Sequence, residues 1–379
     1  MMVRDRRPAF IGFCAVAALL LLAALYHVSG AHSVKPWAFR HPGQSHGEYT
    51  ALKQGSDYND DDSEVQSSQL QSTLEGDSDE SEGHTGKWAY VTFLACKEDD
   101  KPEDPYFTAA RTLTYQLLHH PKTKTNRNIP LVILVPSYLG RRKLDILTDE
   151  GATIVEIDPM ELPDDWQPES GLRASVEFSK LRMWEMKQYD RILYIDSATL
   201  VTRCLDDIWD ADFVSADMRT LGKIEASGGD KEDLPSKYFM MGVSDTGDSK
   251  HPFPPKETTW MGDGFFMLKP NRRLFWYYES LLKNPGKFDM NRYLAGLLNY
   301  AHRPDGPQPW KSFKPGKWSV NYPGPQDLEG QVATMHTKFW EKANREWLSE
   351  QLVEKWWRIQ GQMEGFWLRR GYGAPKTFD

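Results

Sequence analysis

Cysteine is scarce in this chain, with 3 residues among 379. A count that low excludes a disulfide-stapled fold. The apolar share of 40% is ordinary and excludes a collagen-like or wholly disordered chain. Basic residues are also in deficit, because the formal net charge is −8. Without a cationic surplus the chain has no general attraction for phosphate polymers, so we expect no nucleic-acid partner.

A long apolar run near the N-terminus contrasts with the polar average of the chain. Residues 9–28 form a stretch of about 20 mostly apolar side chains, which as a helix spans roughly 30 Å of hydrocarbon. Arg4, Arg6 and Arg7 precede this run, and positive charge on that side holds the N-terminus in the cytoplasm. We predict a cytoplasmic tail at residues 1–8 and a transmembrane signal anchor at residues 9–28. A signal peptide cleaved near residues 29–31 is the alternative.

The next segment, residues 29–86, is rich in Ser, Gly, Gln and Asp and has almost no apolar clusters. Such a composition cannot bury enough apolar surface to offset the entropy of ordering. Its acidic residues also repel one another and extend the chain. We predict a disordered acidic stem that holds residues 87–379 away from the membrane, on the lumenal side.

Residues 87–379 alternate between strand-like and helix-like patterns. Apolar runs rich in β-branched and aromatic residues predict buried strands at residues 88–96, 129–137, 152–158 and 191–201. Helical spacing between them predicts helices at residues 105–119, 141–150 and 175–189. This alternation predicts an α/β domain with a mainly parallel sheet flanked by helices. The polar residues 222–256 are expected to form a loop.

The most specific motif lies around the fourth predicted strand. Lys180 and Leu181 lie on the preceding predicted helix, Asp196 interrupts the apolar run of the strand, and residues 206–209 read DDIW. This order resembles the glycogenin-like retaining glycosyltransferases of family 8, including fungal type II membrane members, over about residues 88–340. The resemblance implies a GT-A fold, a Rossmann-like domain that binds nucleotide-diphospho-sugars.

The resemblance also implies a divalent cation, Mn²⁺ or Mg²⁺, at the diphosphate of a UDP-sugar. Asp196 and His336 are the expected metal ligands, and a His, a carboxylate and phosphate oxygens together suit Mn²⁺. Lys180 and Lys338 are expected to contact the donor and its phosphates. Asp196 and Asp263 are the candidate catalytic carboxylates.

Three further positions take expected roles in donor binding from the same resemblance. Phe93 and Tyr106 are expected near the uracil base, and Gly264 is expected to leave room beside the transferred sugar. Trp260, Trp310 and Trp340 are candidates for stacking on a sugar ring.

Several positions depart from the family pattern. The second acid of the Asp-x-Asp motif is Ala198, and the Asn of the Asn-x-Gly element is Gly262. The Asp-Gln pair beside the transferred sugar corresponds to Leu294 and Ala295. The loss of a carboxylate at Ala198 is expected to weaken cation binding.

The resemblance implies an enzyme that transfers a hexosyl or N-acetylhexosaminyl group from a UDP-sugar to a glycan or glycoprotein, with retention, in the Golgi or another secretory-pathway membrane. The departures leave open a catalytically degenerate protein that binds a sugar nucleotide without turnover. A membrane-tethered scaffold that uses residues 222–256 for protein contacts, and binds no nucleotide, is the third alternative.

Overall fold

A mixed sheet organises the computed structural model, which describes residues 38–40, 50–51, 86–96, 104–163, 168–221, 234–284 and 286–371. In chain order the described strands are β1 (Ala38–Arg40), β2 (Thr50–Ala51), β3 (Trp88–Phe93), β4 (Leu131–Pro136), β5 (Thr153–Ile157), β6 (Arg191–Ile195), β7 (Thr199–Val201), β8 (Met218–Arg219), β9 (Lys237–Tyr238), β10 (Met240–Ser244), β11 (Met261–Leu268), β12 (Lys311–Ser312), β13 (Ser319–Asn321) and β14 (Thr334–His336). The α-helices are α1 (Pro105–Leu118), α2 (Arg141–Asp149), α3 (Pro168–Phe178), α4 (Arg272–Leu282), α5 (Tyr293–Ala301), α6 (Pro325–Glu329) and α7 (Glu350–Leu368).

The centre of the main sheet is parallel, as the strand and helix alternation predicted. Its order is β12-β10-β11-β6-β3-β4-β5-β1-β2, and the pairs β6–β3, β3–β4 and β4–β5 are parallel. Every residue of β4 and β6 is buried, because helices cover both faces of such a sheet and apolar runs then suit both sides of a strand.

The flanks of the sheet correct the prediction of a mainly parallel arrangement. Strand β11 runs antiparallel to β6, and β10 runs antiparallel to β11. At the opposite edge β1 pairs antiparallel with β5. The apolar pattern of a strand does not encode its direction, so the sequence did not indicate these reversals.

Three local predictions also change. Residues 191–201, expected as one strand, form β6 and β7, which belong to different sheets and are separated by a turn that begins at Asp196. Residues 175–189, expected as one helix, comprise the end of α3 and a separate 3₁₀ helix, Ser179–Glu185. Residues 222–256, expected as a loop, contain β9 and β10. The Gly, Asp and Lys around β10 masked its short apolar run, which is buried from Met240 to Val243.

A small second sheet, ordered β13-β14-β7, joins distant parts of the chain. Strand β14 pairs antiparallel with β7, and His336 lies opposite Thr199 in this register. The C-terminal helix α7 packs beside this sheet through Leu352, Trp356 and Met363, which share an apolar cluster with Leu200. Apolar burial therefore holds β14 against β7, which begins three residues after Asp196.

All described residues lie in one compact unit, Trp37–Ala51 together with Tyr58–Asp379. The predicted tail at residues 1–8 and the predicted anchor at residues 9–28 lie outside the described residues. Strands β1 and β2 fall within residues 29–86, the predicted stem. Among the helices that the structure describes, none combines the length and apolar character needed to cross a bilayer.

Candidate active site

Asp196 lies directly after β6, at the end of a central strand. Its backbone N–H donates to the carbonyl of Gly264 at 2.9 Å, which ties this strand end to β11. Oδ1 of Asp196 accepts from the N–H of Ala198 at 2.9 Å. The Asp196 side chain therefore stabilises the turn after the strand by accepting from the backbone N–H two residues further along, as Asp side chains commonly do.

His336 reaches the same carboxylate from the small second sheet. Its Nε2 atom lies 3.4 Å from Oδ1 of Asp196, and each side chain is about one quarter exposed. A Cβ atom at Gly264 would lie only 2.3 Å from Nδ1 of His336. Gly264 thus leaves room for the imidazole ring, and its expected place beside a transferred sugar stays a prediction.

The two groups shift each other's ionisation. Burial raises the pKa of the Asp196 carboxyl, but the hydrogen bond and positive charge of His336 outweigh burial and hold this pKa below its ordinary value. Burial also lowers the pKa of His336, and the Asp196 carboxylate outweighs that effect and raises it. In the absence of a ligand, Asp196 is therefore favoured as a carboxylate and His336 as an imidazolium.

The geometry of this pair fits two ligands of one divalent cation. Two ligands bound at about 2.1 Å and at right angles lie about 3 Å apart, close to the observed 3.4 Å. Ala198, at the position of the expected second acid, is buried and contributes only a backbone N–H to Asp196. In the part of the chain that the structure describes, no cluster of three or more His, Cys, Asp or Glu side chains could hold a metal. Any cation here would need further oxygens from its substrate.

Asp263 lies in β11, one residue before Gly264, and lines the cavity beside His336. Burial raises the pKa of its carboxyl, although the positive charges of Lys180 and His336 oppose this shift. Its carboxylate has no hydrogen bond or ion pair with any residue that the structure describes. Asp263 is therefore a carboxylate near the pair that is available to a ligand.

Lys180 is buried near this group rather than open to solvent. Its Nζ atom lies 2.8 Å from Glu177 and 5.3 Å from the ring centroid of Phe93. Burial lowers the pKa of Lys180, but the Glu177 carboxylate raises it well above its ordinary value. Phe93, expected near a uracil base, is itself only 6% exposed.

Tyr106 and Lys338 lie together at the surface. Asp104 caps the start of α1 by accepting from the N–H groups of Tyr106 and Phe107, which fixes Tyr106 in the first turn. The Nζ atom of Lys338 lies 5.3 Å from the Tyr106 ring centroid, and Trp340 packs edge-on against the same ring at 5.5 Å. The structure therefore brings Tyr106 to Lys338, while Phe93 lies beside Lys180.

A cavity of about 440 Å³ opens beside the pair. Its wall includes the predicted residues Asp263, Gly264, His336, Lys338 and Trp260. The other predicted residues do not line it: Asp196, Lys180, Phe93, Tyr106, Trp310 and Trp340. Sequence patterns did not indicate a second group of lining residues: Asp245, Arg292, Asn321, Tyr322, Asn344 and Trp347. Asp245 directly follows β10 and Asn321 ends β13, so a correct prediction of those strands would have indicated them.

Several known proteins are similar to this chain. No family model matches the chain. The chain is 27% identical to an uncharacterized protein of Schizosaccharomyces pombe, over 74% of this chain and 81% of the relative. It is 24% identical to galactinol synthase 7 of Arabidopsis thaliana, over 72% of this chain and 81% of the relative. The galactosyltransferase LgtC, solved with donor and acceptor sugar analogues, is 13% identical with a TM-score of 0.43, over 72% of this chain and 95% of that chain.

The sequence relatives, taken with the motif around Asp196, define the class of the protein as a glycosyltransferase. Within that class the chain is similar to the galactinol synthases and, in the motif around Asp196, to the family 8 glycosyltransferases.

Proposed function

We propose that this protein transfers a hexosyl or N-acetylhexosaminyl group from a UDP-sugar to a hydroxyl of a glycan or glycoprotein, with retention. The observation that carries this proposal is the 3.4 Å approach of Asp196 and His336, which come from separate sheets. Lys338, two residues beyond His336, lines the same cavity. A carboxylate, an imidazole and an ammonium arranged in this way suit a diphosphate and its cation.

The cation, Mn²⁺ or Mg²⁺, would be held by Oδ1 of Asp196 and Nε2 of His336, with diphosphate oxygens as its other ligands. When bound it neutralises the negative charge that develops on the departing diphosphate. Lys338 would steady the same phosphate oxygens. Because Ala198 offers no carboxylate, we expect cation affinity to be weak until the nucleotide supplies its oxygens.

Retention needs no dedicated protein base if the departing phosphate takes the proton. The bond from the sugar C1 to the phosphate oxygen breaks, and a bond from C1 to the acceptor oxygen forms on the same face. The acceptor's hydroxyl proton passes to the phosphate oxygen, so the products are the glycoside and UDP. Asp263 would stabilise the positive charge that develops at C1.

The proposed setting is a Golgi or other secretory-pathway membrane, with residues 9–28 as a type II anchor and the transferase domain in the lumen. The arginines before the apolar run support this orientation. Several relatives are named galactinol synthases, so a galactosyl donor is included in the test below.

The test uses the full chain purified in detergent with Mn²⁺ and UDP-glucose, UDP-galactose or UDP-N-acetylglucosamine. We expect release of UDP from at least one donor. Asp196→Asn and His336→Gln should each lower that rate about 100-fold, as the loss of a group at a developing charge does. Asp248→Asn is the matched control, because Asp248 is an exposed carboxylate that does not line the cavity. The absence of UDP release with every donor would contradict the proposal.

A sugar-nucleotide-binding protein without turnover is the second candidate. It is favoured by the alanines at positions 198 and 295, the latter lining the cavity where the family pattern has a polar residue. Calorimetry with UDP, with and without Mn²⁺, separates the two candidates. Binding without UDP release would favour this candidate, and no binding at all would favour the scaffold.

A further inference from the structure

The cavity has a second set of lining residues that the donor does not account for. This polar–aromatic wall consists of Asp245, Trp260, Arg292, Asn321, Tyr322 and Trp347. It is continuous with the donor site through the small second sheet, because Asn321 lies opposite His336 in the register of β13 and β14. A ligand on this wall would therefore lie beside the residues proposed for the donor.

Hydrogen bonds to one oxygen of Asp245 fix the orientation of its carboxylate. Its Oδ1 atom accepts from Nδ2 of Asn321 at 2.7 Å and from the N–H of Gly247 at 2.8 Å. Asn321 is fixed in turn, because its Oδ1 accepts from the N–H of Thr246 at 3.2 Å. No described residue donates a hydrogen bond to Oδ2 of Asp245. The second oxygen is thus an oriented acceptor for a hydroxyl group of a ligand.

The aromatic part of the wall offers broad apolar faces beside these polar groups. The rings of Tyr322 and Trp347 lie 5.6 Å apart, and Tyr322 is 41% exposed. The guanidinium of Arg292 lies 5.0 Å from the Trp260 ring centroid. Aromatic faces with a few placed polar groups suit a ring that has both C–H faces and hydroxyl groups. The Arg292 guanidinium lies 3.8 Å from the Asp289 carboxylate and the wall also carries the Asp245 carboxylate, so the wall disfavours an anionic ligand and favours a neutral one.

One residue of this wall, Tyr322, also has a strained backbone. Tyr322 has a φ of +53°, and Tyr293, directly after Arg292, has a φ of +43°. Non-glycine residues in this region cost about 1–3 kcal/mol each and persist mainly where a site requires them. Tyr322 adopts this strained conformation with its side chain lining the cavity, which favours a role in ligand binding over a role in core packing.

We propose that the polar–aromatic wall binds the acceptor, and that this acceptor is a neutral, hydroxyl-bearing six-membered ring. The free oxygen of Asp245 accepts one of its hydroxyl groups, and Trp347 covers one of its faces. The identification of this ring as the acceptor rests on the proposed function. The binding of the ring to the wall does not require turnover.

The test measures binding by saturation-transfer NMR on the full chain in detergent. The probes are methyl β-glucopyranoside, methyl β-galactopyranoside and myo-inositol, with methyl β-glucuronopyranoside as the charged counterpart. We expect at least one neutral probe to bind, and the glucuronide to bind at least 10-fold more weakly. Asp245→Asn should weaken binding of the neutral probe at least 10-fold, because the amide replaces an oriented acceptor oxygen by a donor in part of its orientations.

Matched variants separate a direct contact from a general loss of structure. Asp248→Asn, in the same loop but outside the cavity, should bind the neutral probe as the unchanged chain does. Trp347→Ala should lose binding and Trp347→Phe should recover most of it. Equal binding by Asp245→Asn and the unchanged chain, equal binding of the glucuronide, or no binding of any neutral probe would each overturn the inference.

UDP release distinguishes this failure from failure of the proposed function. If a donor is hydrolysed but the wall variants bind the probes normally, the acceptor site is wrong and the transferase proposal remains. If the probes bind and the Asp245 variant loses them while no donor is turned over, the wall is a ring-binding site and the transferase proposal fails.

Discussion

Gly264 has a steric role that links two strands of different sheets. It is placed in β11, its carbonyl accepts from the backbone of Asp196, and the His336 ring occupies the space of its absent side chain. Because Gly264 has a hydrogen atom where other residues have a Cβ atom, the imidazole can approach the carboxylate closely.

Gly264→Ala should displace His336 from Asp196, because the new methyl group would lie 2.3 Å from Nδ1. We expect a destabilisation of about 1–3 kcal/mol, which is typical of overpacking in a closely packed site. Thermal or urea unfolding measures this change, and UDP binding in the presence of Mn²⁺ should weaken with it.

Gly262→Ala is the steric control for that change. A Cβ atom at Gly262 would meet its nearest atom at 3.7 Å, which is ordinary contact. Its stability should remain within about 0.5 kcal/mol of the unchanged chain. Equal destabilisation by both substitutions would contradict the steric role given to Gly264.

Helix α7 supports the strand that presents His336. Trp356 is 1% exposed and stacks on Phe339 at 5.1 Å, three residues beyond His336. The adjacent Trp357 is 42% exposed. Two neighbouring tryptophans of one helix thus have opposite environments, which follows from the helical period.

Trp356→Ala should destabilise the protein by about 3–5 kcal/mol, because a large buried side chain leaves a cavity when it is removed. Trp357→Ala should change the free energy of unfolding by no more than about 0.5 kcal/mol. Denaturant unfolding of the two variants under the same conditions makes the comparison. Similar losses in both would show that α7 packs with a different face.

The approach of Asp196 and His336 depends on the whole fold rather than on any one element. Asp196 follows a strand of the main sheet, and His336 ends a strand of the small sheet. Strand β7, which begins three residues after Asp196, joins the two because it pairs with β14. The pair therefore has to act as a unit if it holds one cation.

A double-mutant cycle on Asp196→Asn and His336→Gln tests this unit. If both side chains hold the same cation, the double variant should lose little more UDP release than either single variant. Additive losses in free energy would show that the two side chains act independently. The same cycle on Mn²⁺-dependent UDP binding applies if turnover is absent.

Much of the architecture follows from local patterns in the sequence. The apolar runs at β3, β4, β5 and β6 predicted buried strands, and their alternation with helices predicted the parallel centre of the sheet. The position of Asp196 at a strand end also followed, because a polar residue interrupts an apolar run there. Strand β10 escaped prediction because its short apolar run lies among polar residues.

Within the candidate site, the sequence predicted only those residues whose side-chain type and motif together indicate one kind of chemistry. Asp196, Asp263 and His336 carry groups that bind cations or charge, and the motif singled them out. Asp245 and Asn321 carry equally suitable groups, but their significance arises from a hydrogen bond between residues of separate strands. No spacing in the sequence encodes that contact.

By itself, the sequence determined the class of fold and the position of Asp196 at the end of an apolar strand, because side-chain periodicity is a local property of the chain. The tertiary structure decided which distant groups meet: His336 with Asp196, Lys338 with Tyr106, and Asp245 with Asn321. Strand direction and register set those meetings, and both depend on packing between elements that are far apart in the chain.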